Sequence, residues 1–239
     1  MALNDPAGVE DLRTSLVLAN RILVGQGVLD AFGHVSTRTG PGADTFWLSR
    51  NLAPGSVTRD DLLVHRLDGS VADDRKPYLE RFIHAEIYRS RPDVMAVVHS
   101  HSPSVIPFGI TSEAMRPVFH MAAFLGADPV PVYEISTHAG TSCDLLVSSS
   151  DLGASVAAAL GDRSVALMRG HGSVATGSDL PEAVFRAVYT EINARIQLNA
   201  VGLGAPRYLS PGEAHTAAAS VRGQARRAWE VWCADISGP

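Results

Sequence analysis

Cysteine is nearly absent: the 239 residues include only Cys143 and Cys233, far apart and outside any metal-type spacing. A disulfide framework is thereby excluded, and a reducing cytoplasm is the expected compartment. Basic blocks are missing as well, and the formal charge is −5. That balance argues against a nucleic-acid partner. No apolar run reaches the roughly 18 residues at which a membrane span is expected. The start carries no charged segment followed by an apolar one, so neither a secretory signal nor a membrane partner is expected. Repeats and low-complexity linkers are also absent. What remains is a chain long enough to bury a substantial core, read as one domain over residues 1–239.

The apolar residues that are present fall into alternating helix-like and strand-like pieces. Leu12, Leu16, Ala19, Ile22 and Leu23 make a helical stripe that stops at Gly25 and Gly27. HVSTR, TFWLS and DLLVHRL read as strands, the last closed by an Asp68-Gly69 turn. YLERFIHAEIYRSR reads as a helix ending before Pro92, VMAVVHSH and SVALMRG as strands. SDLPEAVFRAVYTEINARIQLNAVGLG and PGEAHTAAASVRGQARRAWEVW read as two further helices. The Pro- and Gly-rich stretch from Thr111 to Asp144 reads as an active-site loop. The interleaving predicts an α/β domain with a mixed central sheet and helices on its faces.

The chemistry-bearing residues gather at the ends of these pieces. In an extended strand, residues i and i+2 share a face, so His99 and His101 of HSH stand side by side with Ser100 turned away. Paired imidazoles at a strand end suit a borderline divalent cation, and by themselves they suit two surface histidines equally well. His171 lies between glycines in RGHG after an apolar strand, where nothing in a turn demands an imidazole. Three histidines from two strand ends make a tripod that leaves positions open for water or substrate, as in catalytic zinc sites. Glu80 and His84 are four apart and share a helical face. Glu80 is then a proton carrier or an extra ligand. His84 reads as a core or capping histidine ahead of a ligand, with a role at most in orienting Glu80 or a ligand.

The ordered set E-x-x-x-H, RPDVMAVVHSHSP and RGHG resembles the class II aldolase/adducin family, from about residue 10 to the final helix. The resemblance implies a three-layer α/β/α fold and a homotetramer with active sites at subunit interfaces. It implies one divalent metal ion per subunit, zinc or manganese, on His99, His101 and His171, with Glu80 as catalytic acid/base. Adducin-type relatives without enzymatic activity lack the metal histidines, so their presence here implies an enzyme.

The family's sugar-phosphate aldolases hold phosphate with Gly-Asn, Thr-Gly and Ser-Ser pairs. The matching positions here read Gly33-His34, Ser49-Arg50 and Tyr78-Leu79. Leu79 offers no donor, and Tyr78 offers a flat, half-polar wall suited to an aromatic ring. Arg50, Arg81 and Arg169 are the nearby guanidinium groups able to hold a carboxylate. The pattern is most similar to the family's decarboxylases of dihydroxyphthalate and hydroxymethylpyridine dicarboxylate, which implies a small aromatic carboxylate substrate and a place in aromatic catabolism. His34, Ser49, Arg50, Tyr78, His120 and Arg169 form the expected substrate wall, His120 facing an adjoining subunit, and Tyr208 is a second catalytic candidate beside Glu80. An aldolase for an oxo-acid or sugar phosphate is the chief alternative, and a metal-free interaction protein a third. A cupin-type oxygenase also uses H-x-H, but its double β-sheet would not supply these long helices.

Overall fold

The computed structural model describes residues 6–237. Its first helix, α1 (Pro6–Gly25), turns the stripe read from the sequence inward, with Leu16, Ala19 and Leu23 fully buried. Strands β1 (His34–Arg38) and β2 (Thr45–Ser49) coincide with HVSTR and TFWLS, and β3 (Leu62–Arg66) follows. Next come α2 (Arg81–Ser90), β4 (Ala96–Ser100), the short α3 (Ile106–Ile110), β5 (Val132–Tyr133) and the short α4 (Ser136–Ala139). The remainder is α5 (Ser150–Leu160), β6 (Val165–Met168), β7 (Gly172–Gly177), α6 (Leu180–Leu203), α7 (Pro211–Arg222) and α8 (Ala225–Ser237).

Among the described residues the seven strands form one sheet, ordered β3-β2-β1-β4-β7-β6-β5. Every neighbouring pair is antiparallel except β5 and β6, which run parallel, so the sheet is mixed as expected. Helices α1 and α6 cover one face, packing on Val35, Ala96, Val98, Val165, Leu167 and Ala175. Helices α2 and α5 cover the other, over Phe46, Val97, Ala166, Met168 and Val174. Successive residues of one strand thus serve different layers. On β4, Ala96 and Val98 face α1 and α6, so Val97 and His99 face α2. On β1, Val35 faces α1, so His34 and Ser36 face α2. His34 is registered directly opposite His99, and Ser36 opposite Val97. The β1–β4 pairing therefore sets a polar strip under α2.

Three boundaries differ from the sequence reading. Helix α2 begins at Arg81, so Glu80 is its N-cap residue and not part of the helix body. β4 ends at Ser100, leaving His101 one residue past the strand. The final predicted helix is two, broken between Arg222 and Ala225 at Gly223. The stretch 111–144 is also more ordered than a loop, carrying β5, α4 and a 3-10 turn over His120–Leu125. Two elements had no periodic signal. The helix α5 (SDLGASVAAAL) is built of small residues without a contrasting polar face, and GSVATG of β7 is short and buried throughout.

Arg38 locks the end of β1 to α2. It donates from Nη2 to the Tyr88 carbonyl near the helix C-terminus, from Nε to Val94 O at 2.9 Å and from Nη1 to Ala43 O at 2.7 Å. A cation at the carbonyl end of a helix also meets its partial negative charge.

On β3, His65 is fully buried and stacked on Phe46, with ring centroids 5.0 Å apart. Its Nε2 has no partner. Burial pushes the imidazole down to about 4 from its ordinary 6.5. The unfolded chain takes up this proton below pH 6.5 and the folded chain does not. His65 therefore withdraws roughly 1.4 kcal/mol of stability per pH unit as pH falls from 6.5 toward its folded value. Urea midpoints measured between pH 4.5 and 6.5 should fall with acidity, and less steeply by one proton in His65→Leu. Equal slopes in the two proteins would contradict the assignment.

Candidate metal centre

Four side chains converge where β4, β7 and the start of α2 meet. The Nε2 atoms of His99 and His101 are 3.2 Å apart, and those of His101 and His171 are 3.1 Å apart. Glu80 Oε2 stands 3.6 Å from His99 Nε2 and 3.5 Å from His171 Nε2. One ligand atom from each of the four lies within 4.8 Å of the rest. Donors sharing a tetrahedral ion at about 2.0–2.1 Å stand roughly 3.4 Å from one another. The four contacts of 3.1–3.6 Å are close to that spacing.

The backbone explains why the rings can approach. Gly172 has no room for a side chain: an added Cβ would lie 2.0 Å from the Ser100 carbonyl oxygen and 3.2 Å from His101 Cα. This close crossing seats His171 against the end of β4. Gly33 has φ +83°, and a Cβ there would lie 2.9 Å from the His99 carbonyl oxygen. The glycines of FGH and HGS are thus demanded by backbone contact at the site.

Each donor is also aimed. His99 donates from Nδ1 to the Ser173 carbonyl at 3.1 Å, which leaves the Nε2 lone pair pointing at the cluster. Glu80 accepts from the Val147 backbone N–H at Oε1, 3.0 Å, and keeps Oε2 toward the histidines. The loop supplying that N–H is held in an unusual conformation, with Leu145 at φ +65°. His171 Nδ1 is buried without a partner.

Burial holds His99 down to about 3 and pushes His101 down as well, so both are neutral donors at physiological pH. Burial pushes Glu80 up, but its closeness to His171 and the pull of the other imidazoles outweigh this and hold the carboxyl well below its usual range. Neutral imidazoles whose lone pairs converge beside a carboxylate are a donor set that fits a divalent cation.

Of the expected substrate wall, the structure brings His34 and Tyr78 to this cluster. Their ring centroids are 4.5 Å apart, and His34 is 5.0 Å from His99. Ser49 is buried, and the Tyr78 hydroxyl donates to the Leu52 carbonyl. Leu79 is 48% exposed beside Glu80, at the open side. Arg50 is paired with Asp61 at 2.7 Å, and Arg169 donates twice to Glu134, one bond measuring 2.9 Å. Tyr208 lies elsewhere in the chain, donating to Glu113 at 2.6 Å and accepting from Gln197 at 3.2 Å. His120 lines a groove with Phe185, Tyr189 and Trp232, whose cavity volume is about 570 Å³. Neither touches the cluster within this chain.

His84 does not contact Glu80, the orientation suggested by their spacing. Glu80 stands at the N-cap position with its carboxylate turned to the cluster, and His84 reaches instead to His34 and Ser36. The sequence reading missed Ser36 and Tyr88, although both carried a signal. Ser36 is two past His34 on a strand, and Tyr88 is four past His84 on a helix.

Residues 14–198 match the family described as Class II Aldolase and Adducin N-terminal domain, and the chain belongs to it. The decarboxylase tropJ of Talaromyces stipitatus is 38% identical, the alignment covering 98% of this chain and 96% of that protein. A 3,4-dihydroxyphthalate decarboxylase of Arthrobacter keyseri is 30% identical over 80% of this chain and 79% of its own length. The solved structure of an L-fuculose 1-phosphate aldolase shares the fold, with a TM-score of 0.76 at 21% identity, covering 89% of this chain and 96% of that one. This kinship indicates a lyase. Among the described residues, no helix is long and apolar enough to cross a membrane.

Replacing His99, His101 or His171 by Ala, one at a time, should abolish stoichiometric zinc or manganese in dialysed protein, read by elemental analysis. The stabilisation conferred by saturating metal, about 4 kcal/mol at a thousandfold excess over Kd, should vanish with it. Full occupancy in all three variants would remove the cation from this site.

Proposed function

We propose that this protein is a metal-dependent decarboxylase of a hydroxylated aromatic or pyridine dicarboxylate, acting in aromatic catabolism. The observation that carries the reading is the wall beside Glu80. There the rings of Tyr78 and His34, 4.5 Å apart, occupy the positions where the resemblance puts phosphate-binding groups. Flat rings favour a planar substrate, and an imidazole N–H favours an anionic oxygen. The relatedness to decarboxylases supports the same direction.

In this reading residues 1–239 form one catalytic domain, and His99, His101 and His171 would hold one divalent ion, zinc or manganese. When bound, such an ion would supply Lewis acidity to the substrate's oxygen atoms. Glu80 is anchored through Oε1 by Val147 and presents Oε2 as a proton acceptor. Already ionised, it takes the proton of the ring hydroxyl. It then delivers that proton to the ring carbon bearing the departing carboxylate. The bond to the carboxylate breaks, its electron pair restores aromaticity, and CO2 leaves. Solvent returns one proton to the ring oxygen, which balances the reaction.

Tyr78, held through its hydroxyl by the Leu52 carbonyl, and His34 orient the ring, with Ser49 beside them in the substrate wall. Arg50 and Arg169 already have carboxylate partners, so they serve as guanidinium groups whose ion pairs open to the substrate's distal carboxylate. Tyr208 and His120, remote from the cluster of their own chain, act across a subunit interface of a homotetramer.

Glu80→Gln preserves shape and removes the titrating proton. The expected result is a fall in kcat of about 10²–10⁴-fold with metal content nearly unchanged. A parallel loss of metal would make Glu80 chiefly a ligand. The wild-type protein should release CO2 from a hydroxylated phthalate or pyridine dicarboxylate and show no saturable use of sugar phosphates. Efficient aldehyde formation from a sugar phosphate would replace this reading with the aldolase one.

A further inference from the structure

Behind the wall lies a line of buried polar groups that the proposed proton transfer does not use. Tyr88 Oη is 2.8 Å from Ser36 Oγ, Ser36 Oγ is 2.6 Å from His84 Nδ1, and His84 Nε2 is 2.7 Å from His34 Nδ1. Ser36 and His84 are fully buried, Tyr88 is 1% exposed and His34 3%. The line is a product of the fold's two periods. His34 and Ser36 share one face of β1, while His84 and Tyr88 share one face of α2.

We infer that Tyr88, Ser36 and His84 form a directed hydrogen-bond chain that fixes His34 with its hydrogen on Nε2, giving the site a neutral donor aimed at an anionic substrate oxygen.

The direction follows from counting hydrogens. The phenol and the hydroxyl each carry one hydrogen, and an imidazole nitrogen that accepts a hydrogen bond leaves that neutral ring's single hydrogen on its other nitrogen. The hydrogen bond that the structure gives the phenol oxygen is the one to Ser36 Oγ, so Tyr88 donates to it. Ser36 must then donate its own hydrogen to His84 Nδ1. His84, with Nδ1 accepting, carries its hydrogen on Nε2 and donates to His34 Nδ1. His34 is left with its hydrogen on Nε2. Among the described residues that atom has no hydrogen-bond partner, and it is not sealed from solvent. Reversing the chain would strand the phenol hydrogen in the core, at the cost of an unsatisfied buried donor.

The chain acts through His34, so Tyr88, Ser36 and His84 are positioning residues. Assigning the oxygen to an aromatic carboxylate rests on the proposed function; the tautomer does not. Neutron diffraction of the zinc-loaded full chain in heavy water tests the tautomer without any substrate. Deuterium is expected on Nε2 of both His34 and His84. Deuterium on His34 Nδ1 overturns the inference.

Kinetics with 3,4-dihydroxyphthalate supply the second measurement. Gln and Met are close in volume, but only Gln can donate an N–H to His34 Nδ1. His84→Met should raise KM about tenfold at little change in kcat or metal content, and His84→Gln should recover most of that loss. Equal KM in two folded, metal-loaded variants overturns the inference. If the compound is not turned over at all, the proposed function fails while the neutron result still decides the tautomer. If neither variant folds, that result alone decides.

Discussion

The site depends on one close backbone crossing. Gly172 lies against the Ser100 carbonyl so tightly that any side chain would stand 2.0 Å from it. Only at that separation can His171, from the turn before β7, meet His101, from just past β4, with Nε2 atoms 3.1 Å apart. The antiparallel β4–β7 pairing, running from Ala96 opposite Gly177 to Ser100 opposite Ser173, holds the crossing in place. The same pairing gives His99 its Ser173 carbonyl, so register and ligand orientation have a common origin.

The second organising feature is the division of the sheet into a dry face and a polar one. Under α1 and α6 the strands present aliphatic residues, and the packing there is the ordinary apolar kind. Under α2 they present His34, Ser36 and His99 among aromatic and aliphatic neighbours. Such a strip is tolerated only when its members satisfy one another. Ser36, His84, Tyr88 and His34 do so in a line, and Arg38 ties the end of β1 to the C-terminal turn of α2 that carries Tyr88. Fixed supports of this kind hold the rings facing the cluster to one geometry, which catalysis and metal binding both require.

Legibility in the sequence followed the strength of local periodicity. HVSTR and TFWLS became β1 and β2 to the residue, and the mixed sheet between helical layers follows from the interleaving. The small-residue segments of α5 and β7 escaped because Ala, Gly and Ser give little contrast between faces. At the site, the H-x-H spacing and the Gly-flanked His171 pointed to residues the fold brings together. Glu80 and His84 were correctly seen as neighbours in sequence period, but helix α2 starts one residue after Glu80. The carboxylate therefore swings to the cluster while His84 faces β1.

By itself the sequence determined which residues share a face, because the two-residue period of a strand and the 3.6-residue period of a helix are local backbone properties. It also determined where the chain can approach itself, through glycines at positions 33 and 172. Only the tertiary structure decided which faces meet. The β1–β4 register put His34 beside His99, and the seating of α2 put His84 between His34 and Ser36. Arg50 and Arg169 looked free as a sequence, yet folding gave them Asp61 and Glu134 from distant segments. Long-range pairing depends on how whole layers pack, and no local period encodes it.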